Sequence, residues 1–154
     1  MACHIRVNAM REKIDCALPF SELRNIDSET LQNWYEIAIE LLAKRRFVDG
    51  ADAFFFLSVV NPYVSSFWVG LGMAEQSQMR YEKAIEAYMM AGVTNPHDPL
   101  AFFYNAKCYA ALGRLEDADR FLEMARDCER HGKVSLPLLR SIEEARVFIK
   151  KANE

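Results

Sequence analysis

The chain of 154 residues is poor in the residue patterns that announce catalysis. Its three histidines stand apart at His4, His97 and His131, and only His4 has a cysteine, Cys3, beside it. That pair lacks two further ligands at plausible spacing, so no metal is expected. No G-x-S-x-G, H-E-x-x-H or zinc-type spacing occurs, and Gly70-Leu71-Gly72 lacks the strand and the lysine of a phosphate loop. The paired acids Glu116-Asp117 and Glu143-Glu144 fall on polar helix faces, where solvation is the default. The chain is therefore expected to be no enzyme, with no catalytic residue and no cofactor. Cys3, Cys16, Cys108 and Cys128 form no C-x-x-C pair, which suits a reduced, cytosolic setting. No apolar run approaches the roughly 20 residues of a membrane span. Arg6, Arg11, Glu12, Lys13 and Asp15 interrupt the N-terminal apolar stretches, so neither a signal peptide nor membrane insertion is expected. A net charge of −3 offers no electrostatic footprint for nucleic acid.

What is present is periodic. A hydrophobic share of 51% against 27% charged suits one folded domain. Between Trp68 and Pro96 the residues Trp68, Leu71, Gly72, Tyr81, Ala84, Tyr88, Ala91 and Pro96 stand at the offsets of a tetratricopeptide repeat, a helix–turn–helix unit of 34 residues. The same step finds Trp34 and Phe102 for Trp68, Phe47 and Leu115 for Tyr81, Gly50 and Ala118 for Ala84, and Phe54 and Leu122 for Tyr88. Pro62 lies one step before Pro96, each after an asparagine that ends a helix. The fold expected is all-α: three such repeats in a right-handed superhelix, with an N-terminal helical arm and a C-terminal capping helix. Gly72 predicts a close helix approach and Gly70 an open spot, since glycine inside a helix costs about 1 kcal/mol relative to alanine.

The arm occupies residues 1–26 and the repeat domain 27–154, with repeats at about 31–64, 65–98 and 99–132 and a last helix at about 136–152. Ile5, Met10, Ile14 and Leu18 give the arm a loose apolar face ended by Pro19, and it either docks on the repeats, pairs with a second copy or stays mobile. A homodimer contact through these four residues is one expectation. Asp27 or Ser28 caps the first helix. Lys44, Arg45 and Arg46 read as a solvated turn. In Phe54-Phe55-Phe56, three consecutive aromatics span about 200° of helix surface, so Phe55 or Phe56 must leave the core stripe.

One residue on from the buried stripe, the first helix of each repeat turns by about 100° to a second face. That face carries Tyr35, Ile39 and Leu42, then Val69, Met73 and Gln76, then Phe103, Lys107 and Ala110. The first helices of stacked pairs line the concave side of a solenoid, so Tyr35, Ile39, Leu42, Val69, Met73, Gln76, Phe103 and Lys107 are the candidate peptide-binding residues. An apolar strip of this kind marks a binding surface, and the ligand expected is an extended peptide with apolar anchors. The two-carboxylate clamp of eukaryotic co-chaperones is excluded: its positions hold Tyr35, Ile39, Gly70, Leu100 and Tyr104, none of them cationic.

Across about residues 27–148 the chain resembles the class II chaperones of bacterial type III secretion systems, which bind translocators before export. The resemblance rests on S-E-T-L-Q-N-W-Y-E-I-A at 28–38, W-V-G-L-G-M-A at 68–74, Y-E-K-A-I-E-A-Y at 81–88, N-P-H-D-P-L-A-F-F-Y-N-A-K-C-Y at 95–109 and A-R-D-C-E-R-H-G at 125–132. It implies a non-enzymatic chaperone of the bacterial cytoplasm, holding an extended segment of a secreted protein in its groove; several such proteins are dimers through N-terminal helices. Lys107 departs from the family pattern and could meet a cargo carbonyl or carboxylate. The alternative reading is a generic repeat scaffold that binds a folded partner in a bacterial assembly.

Overall fold

The computed structural model describes residues 26–128 and 134–152. Within them the chain forms helices α1 (Ser28–Ala43), α2 (Phe47–Val60), α3 (Ser65–Ser77), α4 (Tyr81–Thr94), α5 (Pro99–Ala111), α6 (Leu115–Asp127) and α7 (Leu136–Ala152), and no strand. The all-α expectation holds, as three helix pairs and a single last helix. Asp27 is the cap of α1: the Thr30 amide donates to its Oδ1 at 2.8 Å. Asp98 does the same for α5, accepting from the Leu100 amide at 3.0 Å, with Pro99 in the tolerated first position.

The turn inside each pair repeats in geometry as well as position. Arg45, Met79 and Gly113, 34 residues apart, all adopt the left-handed conformation, at φ of +57°, +60° and +74°. The residue after each, Arg46, Arg80 and Arg114, donates its amide back to Leu41, Glu75 and Tyr109 at 2.9–3.0 Å, which closes the first helix. Each of these arginines then pairs with a nearby acid: Arg46 with Asp49, Arg80 with Glu75, and Arg114 with Asp117. Lys44 pairs with Glu40 at 3.0 Å, so the basic triplet is used locally at its two ends.

The core runs in two patches along the stack. The first joins Ile37, Ala38, Leu41, Phe54, Phe56, Leu57, Phe67 and Leu71; the second joins Tyr88, Phe102, Ala106, Tyr109, Leu122, Ile142 and Ile149. Of the three phenylalanines on α2, Phe54 and Phe56 are buried, Phe56 edge-on to Trp34 at 5.2 Å, while Phe55 is 57% exposed. Both helical glycines mark close approaches. A Cβ on Gly72 would lie 2.5 Å from the Tyr88 ring, and one on Gly70 would clash with the Phe54 ring. The open spot expected at Gly70 is thus corrected: the preceding repeat's aromatic fills it. The last helix closes the stack with Ile142 and Ile149 buried, and the Arg146 guanidinium donates to Asp119 at 2.8 Å. Val147 and Phe148, apolar in sequence, face outward.

Candidate functional site

Each helix packs on the next, and α3 in addition touches both α1 and α5. The first helices of the three pairs therefore stand side by side, on the inside of a curved stack. The residues picked out from sequence fall into two groups along this surface.

Ile39 is 43% exposed, Met73 is 38% exposed, and Lys107 is exposed at the same offset on α5. Tyr35, Val69 and Phe103 are half-buried, each with its body in the core and an edge outward. Tyr35 is wedged between Phe54 and Phe67, at ring separations of 6.0 and 5.7 Å. Leu42 and Gln76 are likewise half-buried. Leu42 packs on the core, with its Cδ2 2.9 Å from where Gly50 would carry a Cβ. Gln76 accepts a 2.9 Å hydrogen bond from the Tyr88 hydroxyl, which fixes its amide between helices. Leu100, 41% exposed and one turn before Phe103 and Tyr104, extends the apolar surface and was not singled out as a binding residue. The signal was there, because Leu100 stands one repeat after Ser66 and two after Gln32, both polar.

The third-repeat end is built differently from the first. Tyr104 stacks on the buried Tyr88 at 5.7 Å, with Phe103 tilted against it, and the Lys107 ammonium lies 5.8 and 5.7 Å from the Phe103 and Tyr104 ring centres. This is cation–π distance. Burial raises the Tyr88 phenol well above its ordinary range and pushes the Cys108 thiol up to about 12. Both are neutral packing groups rather than reactive ones. Ile5, Met10, Ile14 and Leu18 lie outside the described residues.

A second concavity, on the opposite side of α3, was not visible in sequence. Phe55, Trp68, Leu71, Ala87 and Met90 line a cleft of about 470 Å³ between α2 and α4, with Asp52, Glu75, Lys83 and Glu86 around them. One repeat later Phe121 replaces Ala87 and stacks on Tyr109 at 5.2 Å. The small side chain at 87, where its repeat partner is aromatic, leaves the cleft open.

No family model matches the chain. Low calcium response locus protein H of Yersinia pestis is 30% identical over 105 residues, which are 68% of this chain and 62% of that protein. The chain thus spans less than two thirds of the length of that curated relative. Among solved structures, the type III secretion translocator chaperone SycD of Yersinia enterocolitica, in an alternative dimer, superposes with a TM-score of 0.80 at 27% identity, over 84% of this chain and 98% of SycD. SycD in complex with a peptide of the translocator YopD gives a TM-score of 0.79 at 27% identity, over 84% and 99%. In sequence and in fold, the chain is similar to the type III secretion translocator chaperones.

Proposed function

We propose that the chain is a cytoplasmic, non-catalytic chaperone of a type III secretion system, which holds an extended apolar segment of a secreted translocator on its inner face and keeps it soluble and fit for export. The observation that carries this reading is the row of outward apolar side chains, Ile39, Met73 and Leu100, on three touching helices of a fold that SycD uses with a translocator peptide bound. Each anchor buried there contributes about 1.5–3 kcal/mol, and ordering the segment takes back about 2–5 kcal/mol. Three anchors alone therefore bind weakly, and backbone hydrogen bonds or a second contact region must add to them.

Co-expression with secreted proteins encoded near its own gene tests the proposal. The Ile39→Glu and Met73→Glu variants are the suitable probes, since both side chains are outward and Tyr35→Glu would also disturb the core around Phe54. Cargo is expected to leave the soluble fraction with either variant. Cargo equally soluble with both would remove the inner face from the function. The scaffold alternative draws on the outer cleft at Phe55 and Met90, and Phe55→Glu is the matching probe for it. For self-association, the SycD dimer supports a homodimer, and the apolar residues of the arm at 1–26 are the contact to test. Deleting them is expected to reduce the sedimenting mass to a monomer's, and an unchanged mass would take the arm out of that role.

A further inference from the structure

One position on the inner face breaks its apolar run. Stepping from Ile39 by one repeat gives Met73 and by two gives Lys107. No other charged side chain stands at the offsets of Gln32, Tyr35, Ile39 or Leu42 on α1, α3 or α5. Lys44 elsewhere has Glu40 at 3.0 Å, whereas among the described residues Lys107 has only the rings of Phe103 and Tyr104. Those rings are held in place: Tyr104 is stacked on Tyr88, which is fully buried and hydrogen-bonded to Gln76. The ammonium is thus set before a fixed aromatic wall and keeps its water on the open side.

A ligand covering Ile39 and Met73 would strip that water. An ammonium desolvated against apolar walls is costly unless an anion takes the place of water, and next to a low-dielectric wall a charge-assisted hydrogen bond is stronger than in bulk solvent. A purely apolar segment would therefore be penalised at this end of the face, and a segment carrying one carboxylate would be favoured. A single cation suits a single carboxylate, unlike a clamp built for two. Neighbouring helices pack about 8–10 Å apart and an extended chain advances about 3.3 Å per residue, so the carboxylate falls roughly three residues from the anchor over Met73.

We propose that Lys107, bracketed by Phe103 and Tyr104, is a carboxylate-binding site at the third-repeat end of the inner face, selecting segments with an acidic group about three residues from the apolar anchor that covers Met73. This rests on the inner face being the cargo groove. The carboxylate is supplied by an aspartate or glutamate side chain or by a chain terminus.

The test uses the full chain and fluorescein-labelled peptides about twelve residues long, enough to cross three helices, with leucine at every third position of a serine–alanine background. Glutamate, glutamine or lysine is scanned through the other positions, and each peptide is made with an amidated or a free C-terminus. Binding is read by anisotropy. Glutamate at one position is expected to bind about tenfold tighter than glutamine, the order of a charge-assisted hydrogen bond. Lys107→Met should abolish that preference, and Lys107→Glu should transfer it to lysine-bearing peptides, both variants keeping the wild-type circular dichroism. A gain confined to free C-termini assigns the same site to a terminal carboxylate. Equal binding of all glutamate, glutamine and free-acid peptides, while Met73→Glu weakens every one, overturns the Lys107 site and leaves the groove standing. Absence of binding by any leucine peptide, or binding untouched by Met73→Glu, overturns both.

Discussion

Arg45, Met79 and Gly113 hold one turn geometry with three residue types, and only the third is suited to it. A left-handed conformation costs an ordinary residue about 1–2 kcal/mol, against roughly 0.4–1 kcal/mol of extra chain entropy that glycine adds to the unfolded state. Met79→Gly is therefore expected to stabilise the protein by about 0.5–1 kcal/mol, and Gly113→Ala to destabilise it by about as much, both read as shifts in thermal midpoint. Opposite signs at the two positions are the signature; a loss at both would mean that the Met79 side chain contributes contacts its exposure conceals. Asn105 is the counterpart of Leu71 one repeat on, fully buried, and neither of its amide atoms has a hydrogen-bond partner. Asn105→Leu should raise stability by about 1 kcal/mol, since a buried unpaired amide carries its full desolvation cost. Gly72→Ala should cost about 1–3 kcal/mol, because the Tyr88 ring 2.5 Å from the added methyl is buried on every side and cannot yield. At this scale a sequence shows which positions repeat, and so the small residues at 84 and 118 were legible. Whether a neighbouring aromatic fills the space beside a glycine depends on the preceding repeat, which is why Gly70 reads as open in sequence and is closed by Phe54 in space.

At the scale of elements, helix boundaries were legible where chemistry punctuates the chain: Asp27 as a cap, Asn61-Pro62 and Asn95-Pro96 as stops. The inner face was legible as a direction, since it follows from advancing one residue along a helix. Its degree of exposure was not. Leu42 and Gln76 lie on that face, yet each is drawn inward by a partner on the following helix, Gly50 by leaving room and Tyr88 by a hydrogen bond. The outer cleft was illegible for a related reason: it is made by a side chain that is small, Ala87, where the repeat partner is Phe121. The last helix offers an element-level prediction. Ile142→Ala removes a fully buried anchor between α7 and the rest of the stack, at a cost of about 2–5 kcal/mol. In an array where each unit touches only its neighbours, that loss stays local. Hydrogen exchange should quicken across α7 and its contact on α6 while α1 and α2 keep their protection; uniform acceleration would show that the stack unfolds as one unit.

At the scale of the whole molecule, three helix pairs present two unlike surfaces on either side of α3. The inner one is a row of apolar side chains that ends in a lysine held over two rings. The outer one is a cleft edged with acids. The repeat period alone says that helices stack; the asymmetry between the two sides says where a chain can lie. The proposed function places an extended cargo segment on the inner side, and photo-crosslinking separates the sides directly. A crosslinking amino acid is placed at Met73 or at Phe55 in the full chain, co-expressed with the secreted protein that it keeps soluble, and the crosslinked cargo peptides are mapped by mass spectrometry. Met73 is expected to capture one short, apolar cargo segment, and Phe55 is expected not to capture that segment. Capture of cargo from Phe55 with none from Met73 would contradict the proposed function.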